Sequence, residues 1–404
     1  MTEDKHVKAN STVTLDVVTG NLVVEENAVI KGTGAPPTVK VAGTVYCEDF
    51  ATFDCNLQAE NFEAEADVTI RGDLQVKGEI NSEEGTLTVE GNVCAKRIDV
   101  NQALHVEKDL ATVSVNVGGS LRINGNAKAE DIDVGGSCKI KGEVTAESID
   151  IGGSFAAESK ATITRLDVGG KARVNGGKIQ RIDVGGTFES DASLEFEEVD
   201  VGGAIHLVGN SKGKRVEVGG ALRVNGNFAF EIMDVGGKVE IAGSAEGLEV
   251  EVGGKIEVKD QLKLTGNLDV GGKVDVGELS AANVDVGGTL RARKVMAEQS
   301  VKVGGSIITE QGVNAYYVEI GKRGEVKGPI KATEVVVGRD ATVETVYGRK
   351  ILLRSGAQAQ NVYGEDITIE PHSRVTGEIK YTRELKIAEA SLSKPPQKVD
   401  TLPW

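Results

Sequence analysis

The sequence is short of almost everything from which a globular enzyme of its size is built. Aromatic residues make up 4% of its 404 positions, with one tryptophan, seven prolines, four cysteines and four histidines. So few rings exclude a conventional core of large side chains and leave valine, isoleucine and leucine to fill any interior. The thiols Cys47, Cys55, Cys94 and Cys138 form no CxxC pair, which excludes a disulfide framework and fits a reducing cytoplasm. His6, His105, His206 and His372 are too scattered for a catalytic constellation. No run approaches the roughly 20 apolar residues of a membrane span. The opening Met1-Thr2-Glu3-Asp4-Lys5-His6 is polar where a signal peptide would be apolar. Basic residues number 46 against 62 acidic ones, a net charge of −16. That balance excludes a chain-wide grip on nucleic acid or on an anionic membrane. No GxGxxG or GxxxxGK[ST] loop leads a strand into a helix, so nucleotide phosphates have no cradle. The expectation is therefore no enzyme, with no catalytic, cofactor-binding or metal residues to name.

Glycine, by contrast, is abundant at 52 residues, and it is ordered. A four-residue phrase, most often Asp-Val-Gly-Gly, recurs twelve times over 116–305, its glycine pairs beginning at Gly118, Gly135 and Gly152 and ending at Gly287 and Gly304. The spacing is 16 to 18 residues. Such a period is too short for a domain and too long for one strand, and it reads as one turn of a solenoid. The columns agree. Val134, Ile151, Val168 and Val184 precede the glycine pair; Ile132, Ile149, Leu166 and Ile182 stand two residues earlier; Leu121/Ile123 and Cys138/Ile140 follow it. Apolar residues alternating at period two on each side of the pair make two half-buried strands. A third, weaker face carries pairs such as Leu194/Phe196 and Leu262/Leu264. The chain is thus expected to be all-β, a single-stranded parallel β-helix of triangular section with about 17 residues per coil. Coils about 4.8 Å apart, roughly 20 of them, would make a rod on the order of 100 Å long. No coil can stand alone, because fixing its backbone costs more than its few aliphatic side chains return.

Glycine at the corner is expected to supply a positive φ that other residues adopt at a cost. Asn-Gly at Asn124-Gly125, Asn175-Gly176 and Asn225-Gly226 marks a second corner on the same reasoning. Ten consecutive coils place an acid two residues before the pair, Asp133, Asp150, Asp167, Asp183 and Asp200 among them. One reading is a stripe that collects divalent cations; the favoured one is local, an Asx-turn in which each Asp accepts the amide of the first glycine. Arg165, Arg181 and Arg215 are placed to relieve the repulsion, and Asp131, Glu198 and Glu249 to worsen it. Cys47, Cys55 and Cys138 fall at inward positions and Cys94 at an exposed one. Tyr316, Tyr317, Tyr347, Tyr363 and Tyr381 cluster late, to stack between coils or to form a contact belt.

Four stretches follow: an N-terminal segment, 1–37, with partial strands and a break at Gly34-Ala35-Pro36-Pro37; the glycine-cornered helix, 38–315; plainer coils of period 16, 316–388; and a proline-containing tail, 389–404, expected to be disordered. Within the third, Val-Val-Val-Gly-Arg-Asp-Ala-Thr-Val, Ile-Leu-Leu-Arg-Ser-Gly-Ala-Gln-Ala and Ile-Thr-Ile-Glu-Pro-His-Ser-Arg-Val-Thr-Gly-Glu-Ile stand between 335 and 380. This text resembles the bactofilins, polymer-forming cytoskeletal proteins, most closely over 318–388. The resemblance implies a right-handed triangular β-helix with flexible tails that assembles end to end into filaments without nucleotide. The expected function is thus a cytoplasmic scaffold subunit whose partner is itself. No nucleic acid and no direct membrane insertion are expected, and 393–404 is a possible docking peptide for a protein partner. The alternative is a monomeric binding platform that recruits partners through its faces and tail. A β-helix enzyme acting on carbohydrate or transferring acyl groups lacks the necessary acids and histidines.

Overall fold

A computed structural model of the chain describes residues 3–403, and Trp404 therefore lies outside the described residues. Among the described residues there is no helix; short parallel strands wind into a β-solenoid with roughly 17 residues per turn, as the spacing predicts. The chain divides into two compact units, Met1–Gly202 and Gly203–Trp404.

In the first unit each coil contributes three strands, and each pairs with its counterpart one coil later. Ser114–Val117 pairs in parallel with Asp131–Val134, Ser120–Ile123 with Ser137–Ile140, and Ala127–Lys128 with the start of Val144–Ile151. A constant offset keeps every inward column inward, because a slip of one residue would turn the whole face to solvent. Val115, Ile132, Ile149, Leu166 and Ile182 are accordingly buried, as are Val117, Val134, Ile151, Val168 and Val184. Column filling is not uniform. Leu121, Cys138, Phe155, Ala172 and Phe188 stack in register. From Cys138 onward large and small side chains alternate, so each phenylalanine spreads over the small neighbour beneath it and density is kept without strain.

The N-terminal stretch is part of this stack. Lys5–Val7 pairs with Leu22–Val24, Thr12–Leu15 with Val29–Gly32, and Val17–Val18 with Lys40 and Val41. Pro36 and Pro37 lie in a loop that interrupts the second coil between Val29–Gly32 and Thr38–Val41. The break at 34–37 is thus a loop within the stack.

In the second unit the same three-stranded coils continue, and longer strands turn corners unbroken. Val313–Ile320 runs through position 315 as one strand, so the change of wording there is not a change of architecture. Gln358–Ile369 pairs with Ile379–Ile387, Ile367 opposite Leu385 and Ile369 opposite Ile387. The expectation of a disordered tail from 389 is corrected. Ser391–Leu392 pairs with Arg374–Val375, and Gln397–Lys398 with Lys380 and Tyr381. The Ser391, Ser393 and Val399 amides bond to Ser373, Val375 and Tyr381 carbonyls. Pro395 and Pro396 do not prevent this because they fall between the two strands, where no ladder amide is needed.

Candidate functional surfaces: corners, acidic column and terminal coils

Glycine pairs form the sharpest corner, and the reason for them differs from the expected one. None of the glycines in the twelve recurring pairs has a left-handed φ; among the described residues that conformation belongs to others, such as Asn10, Asn27, Asp340 and His372, and at the second corner to Gly176, where it was expected. The requirement is close approach. A Cβ built on Gly135 would lie 2.4 Å from the Gly118 carbonyl oxygen, and on Gly152 2.4 Å from that of Gly135. The same holds within the second unit, where Gly253 meets Gly236 at 2.5 Å and Gly304 meets Gly287 at 2.4 Å. Stacked backbones leave no room for a methyl group. Asn101-Gln102 can precede the first pair because the clash points backwards: it is Gly118 whose Cβ would strike Asn101, at 2.2 Å.

The local reading of the acidic column fails because the glycine amides are already taken. The Gly135 and Gly152 amides, which Asp133 and Asp150 would have to cap, are given to the Val117 and Val134 carbonyls of the coil below, at 2.9 and 3.0 Å. The carboxylates are left standing in register, Asp133, Asp150, Asp167, Asp183 and Asp200 in the first unit and Glu217, Asp234, Glu251, Asp269 and Asp285 in the second. Partial burial, then Asp167 and Asp133 on either side, push the Asp150 carboxyl above its usual range. Arg165 reaches Asp167 at 3.3 Å and Arg215 reaches Glu217 at 3.4 Å, as expected. Arg181 instead turns to the next coil and takes Glu198, with Nε 3.0 Å from the carboxylate, so Glu198 is paired and not a burden. Among the described residues no group of three or more His, Cys, Asp or Glu is arranged to hold a metal ion.

The raised Asp150 has a signed consequence. Its folded value lies above its unfolded one, so its contribution to stability is complete below the unfolded value and lost as pH rises through the folded value. Asp150→Asn should therefore raise the melting temperature at pH 7 and lose that advantage below about pH 4. Melts at the two pH values decide this, and an unchanged Tm at pH 7 would count against a repelling column. Glu240 has the opposite sign: Lys238 first, then Arg223, hold it down to about 2.

A second ladder escaped the sequence reading. In the first unit the Asp73 amide donates to Asn56 Oδ1, Asn92 to Asp73, Asp109 to Asn92, Asn126 to Asp109 and Glu143 to Asn126, over 2.7–3.2 Å. Each short side chain caps the backbone of the coil above it at the second corner. Asn210, Asn227 and Ser244 repeat the pattern in the second unit. The working residue stands just after the corner, behind a glycine at Asp73, Asn92, Asn126, Asn210 and Asn227 and behind Cys55 and Lys108 at Asn56 and Asp109, whereas Asn124, Asn175 and Asn225 stand before it. An Asn or Asp returning every 17 to 19 residues just after the corner was the available signal.

The isolated candidates sit as their positions suggest. Cys47, Cys55 and Cys138 are buried and Cys94 is exposed. Burial pushes the Cys47 and Cys138 thiols up, the latter to about 12, and burial with the Asp54 charge pushes Cys55 up to about 11. A thiol reagent should therefore modify one cysteine in the folded protein and four in denaturant; a second fast-reacting thiol in the native state would contradict the packing. Tyr347 stacks on Tyr363 with ring centres 5.2 Å apart, and Lys380 sits 5.8 Å over the Tyr363 ring. The His206 ring lies 3.1 Å from the Asn225 side-chain amide.

The terminal coils differ from the rest. At the C-terminal end Leu385 and Ile387 occupy the inward columns of Ile351/Leu353 and Ile367/Ile369, which are buried. Leu385 is half-buried and Ile387 is 40% exposed. Among the described residues no strand pairs on the far side of 383–387. At the N-terminal end Val13 and Leu15 are half-buried in their inward columns, and Lys5 stands exposed opposite buried Leu22.

These features define an all-β parallel solenoid with glycine and Asx corner ladders and, among the described residues, an open strand edge at 383–387. No family model, curated protein or solved structure matches the chain.

Proposed function

We propose that the chain is a non-enzymatic structural subunit that assembles with copies of itself through its terminal coils, without nucleotide. The observation that carries this is that Leu385 is only half-buried and Ile387 exposed in columns that the neighbouring coils bury, beside a strand edge that pairs with nothing among the described residues. An open edge with apolar inward residues is a template for another strand, and β-augmentation is the chemistry that satisfies it. The resemblance of 335–387 to the bactofilins supports the same reading. A reducing cytoplasm suits its four free thiols. Electron microscopy of the purified protein in plain buffer tests the proposal: filaments are expected, and monodisperse particles across a range of salt would overturn it.

One observation favours the second reading, a platform that does not polymerise. Lys5 at an inward column of the first coil is a charge of the kind that blunts sheet edges. Under that reading the protein sediments as a single species and binds other proteins along its faces.

A further inference from the structure

The surface of the first unit carries one groove that does not share the acidic character of the chain. It has a volume of about 660 Å³ and follows the third strand stack across five coils. Val17, Lys40, Gln58, Gln75 and Cys94 stand in register along one wall. The floor is apolar, made by the edges of Val41, Ala59, Val76 and Ala95. Val17 at one end is 59% exposed and Val113 at the other 41% exposed, two of the larger apolar side chains left open to solvent in this unit. The rim is basic. Lys77 is paired with Glu60, at 2.9 Å, but Lys40 and Lys96 have no ion pair among the described residues. An apolar floor with unneutralised lysines above it, in a protein of net charge −16, selects an occupant that is apolar and acidic.

The chain contains such a segment. Residues 399–404 read Val-Asp-Thr-Leu-Pro-Trp and include the only tryptophan. Among the described residues no strand forms after Gln397–Lys398, Val399 makes the last backbone bond to the stack, and Leu402 is only half-buried. In an extended chain Asp400, Leu402 and Trp404 project to one side. Six extended residues span about 20 Å, and five stacked coils cover about 19 Å. Pro403 offers no amide, so recognition would run through side chains, which is what a groove without a free strand edge provides.

We propose that residues 399–404 of a second copy dock in this groove, with Leu402 and Trp404 on the apolar floor and Asp400 beside Lys40 or Lys96. The contact is lateral and does not depend on end-to-end assembly. The test uses full-length protein in which Trp404→Phe has removed the intrinsic tryptophan signal. The synthetic peptide Lys-Val-Asp-Thr-Leu-Pro-Trp is then titrated in, and its tryptophan emission is followed. A saturable blue shift is expected as the indole leaves water. Lys40→Glu with Lys96→Glu should weaken binding about tenfold or more, and Val113→Asp should abolish it. All three positions are exposed, and circular dichroism verifies that the fold is kept. No shift up to millimolar peptide, or binding undiminished in the lysine and valine variants, would overturn the proposal. Filaments that persist in the Lys40→Glu/Lys96→Glu protein would leave the end-to-end reading standing whatever the peptide does.

Discussion

A single methyl group at Gly152 should cost about 3 kcal/mol or more of stability, although Gly→Ala is among the mildest substitutions available. The Cβ would lie 2.4 Å from the Gly135 carbonyl oxygen, a distance that only separation of the coils can relieve. Separation stretches the amide bonds from Gly152 to Val134 and from Gly153 to Gly136, both 3.0 Å now, each worth about 1 kcal/mol. Gly152→Asn discriminates the cause. Were the corner a left-handed turn, asparagine would be nearly as good as glycine; with close approach as the cause, it should be as damaging as alanine. Gln102→Ala, at a side-chain-bearing position one coil before the first pair, should change stability by less than about 0.5 kcal/mol. Urea melts of the three variants, with hydrogen exchange at the corner amides, provide the readout. A solenoid can open coil by coil, so the exchange data locate the loss even where the melt is not two-state. Tolerance of Gly152→Ala to within about 0.5 kcal/mol would remove the steric account.

Replacing both Leu385 and Ile387 by aspartate should abolish assembly while leaving the melting temperature nearly unchanged. The two effects separate because the side chains are already partly in water in the single chain, Ile387 at 40% exposure, so little burial is lost in the subunit itself. Stacking another coil on that edge would bury two unpaired carboxylates, a penalty of several kcal/mol. The concentration needed for assembly should therefore rise more than about a hundredfold. Pelleting and electron microscopy of parent and variant, beside their thermal melts, give both numbers. Filaments from the double variant at the parental concentration would show that this edge is not where copies meet. Lys5→Leu should act in the opposite direction, since it removes the inward charge from the first coil.

Period and column were legible in the sequence because they are written in the identity of single residues. Val134, Ile151 and Val168 are apolar wherever the coil needs them, and 17-residue spacing reads directly as a wound strand. Causes that act between coils were not legible. The glycine pairs were visible, but the Gly135 carbonyl that makes Gly152 necessary is 17 residues away and has no side chain to reveal it. The Asn56–Asp73–Asn92–Asp109–Asn126 ladder was missed for a similar reason: an Asx side chain is ordinarily read against its own turn, and here its partner is the next coil. Arg181 was assigned to the column beside it on spacing alone, whereas its long side chain reaches Glu198 just as well. Pro395 and Pro396 point to a disordered tail only if they fall in a ladder, and they fall between two strands instead.

The alternation of Cys138, Phe155, Ala172 and Phe188 restricts how such a protein can change length. Removing the single coil that carries Ala172 would place Phe188 directly on Phe155, two rings competing for the width of one column. Removing that coil together with the one that carries Phe188 leaves Phe155 as the last large ring of the series and brings no two rings together. Through this region the Ala172 coil is the spacer that cannot be lost alone, so deletions that remove it should take a neighbouring phenylalanine coil with it, a length near 34 residues and twice the visible repeat.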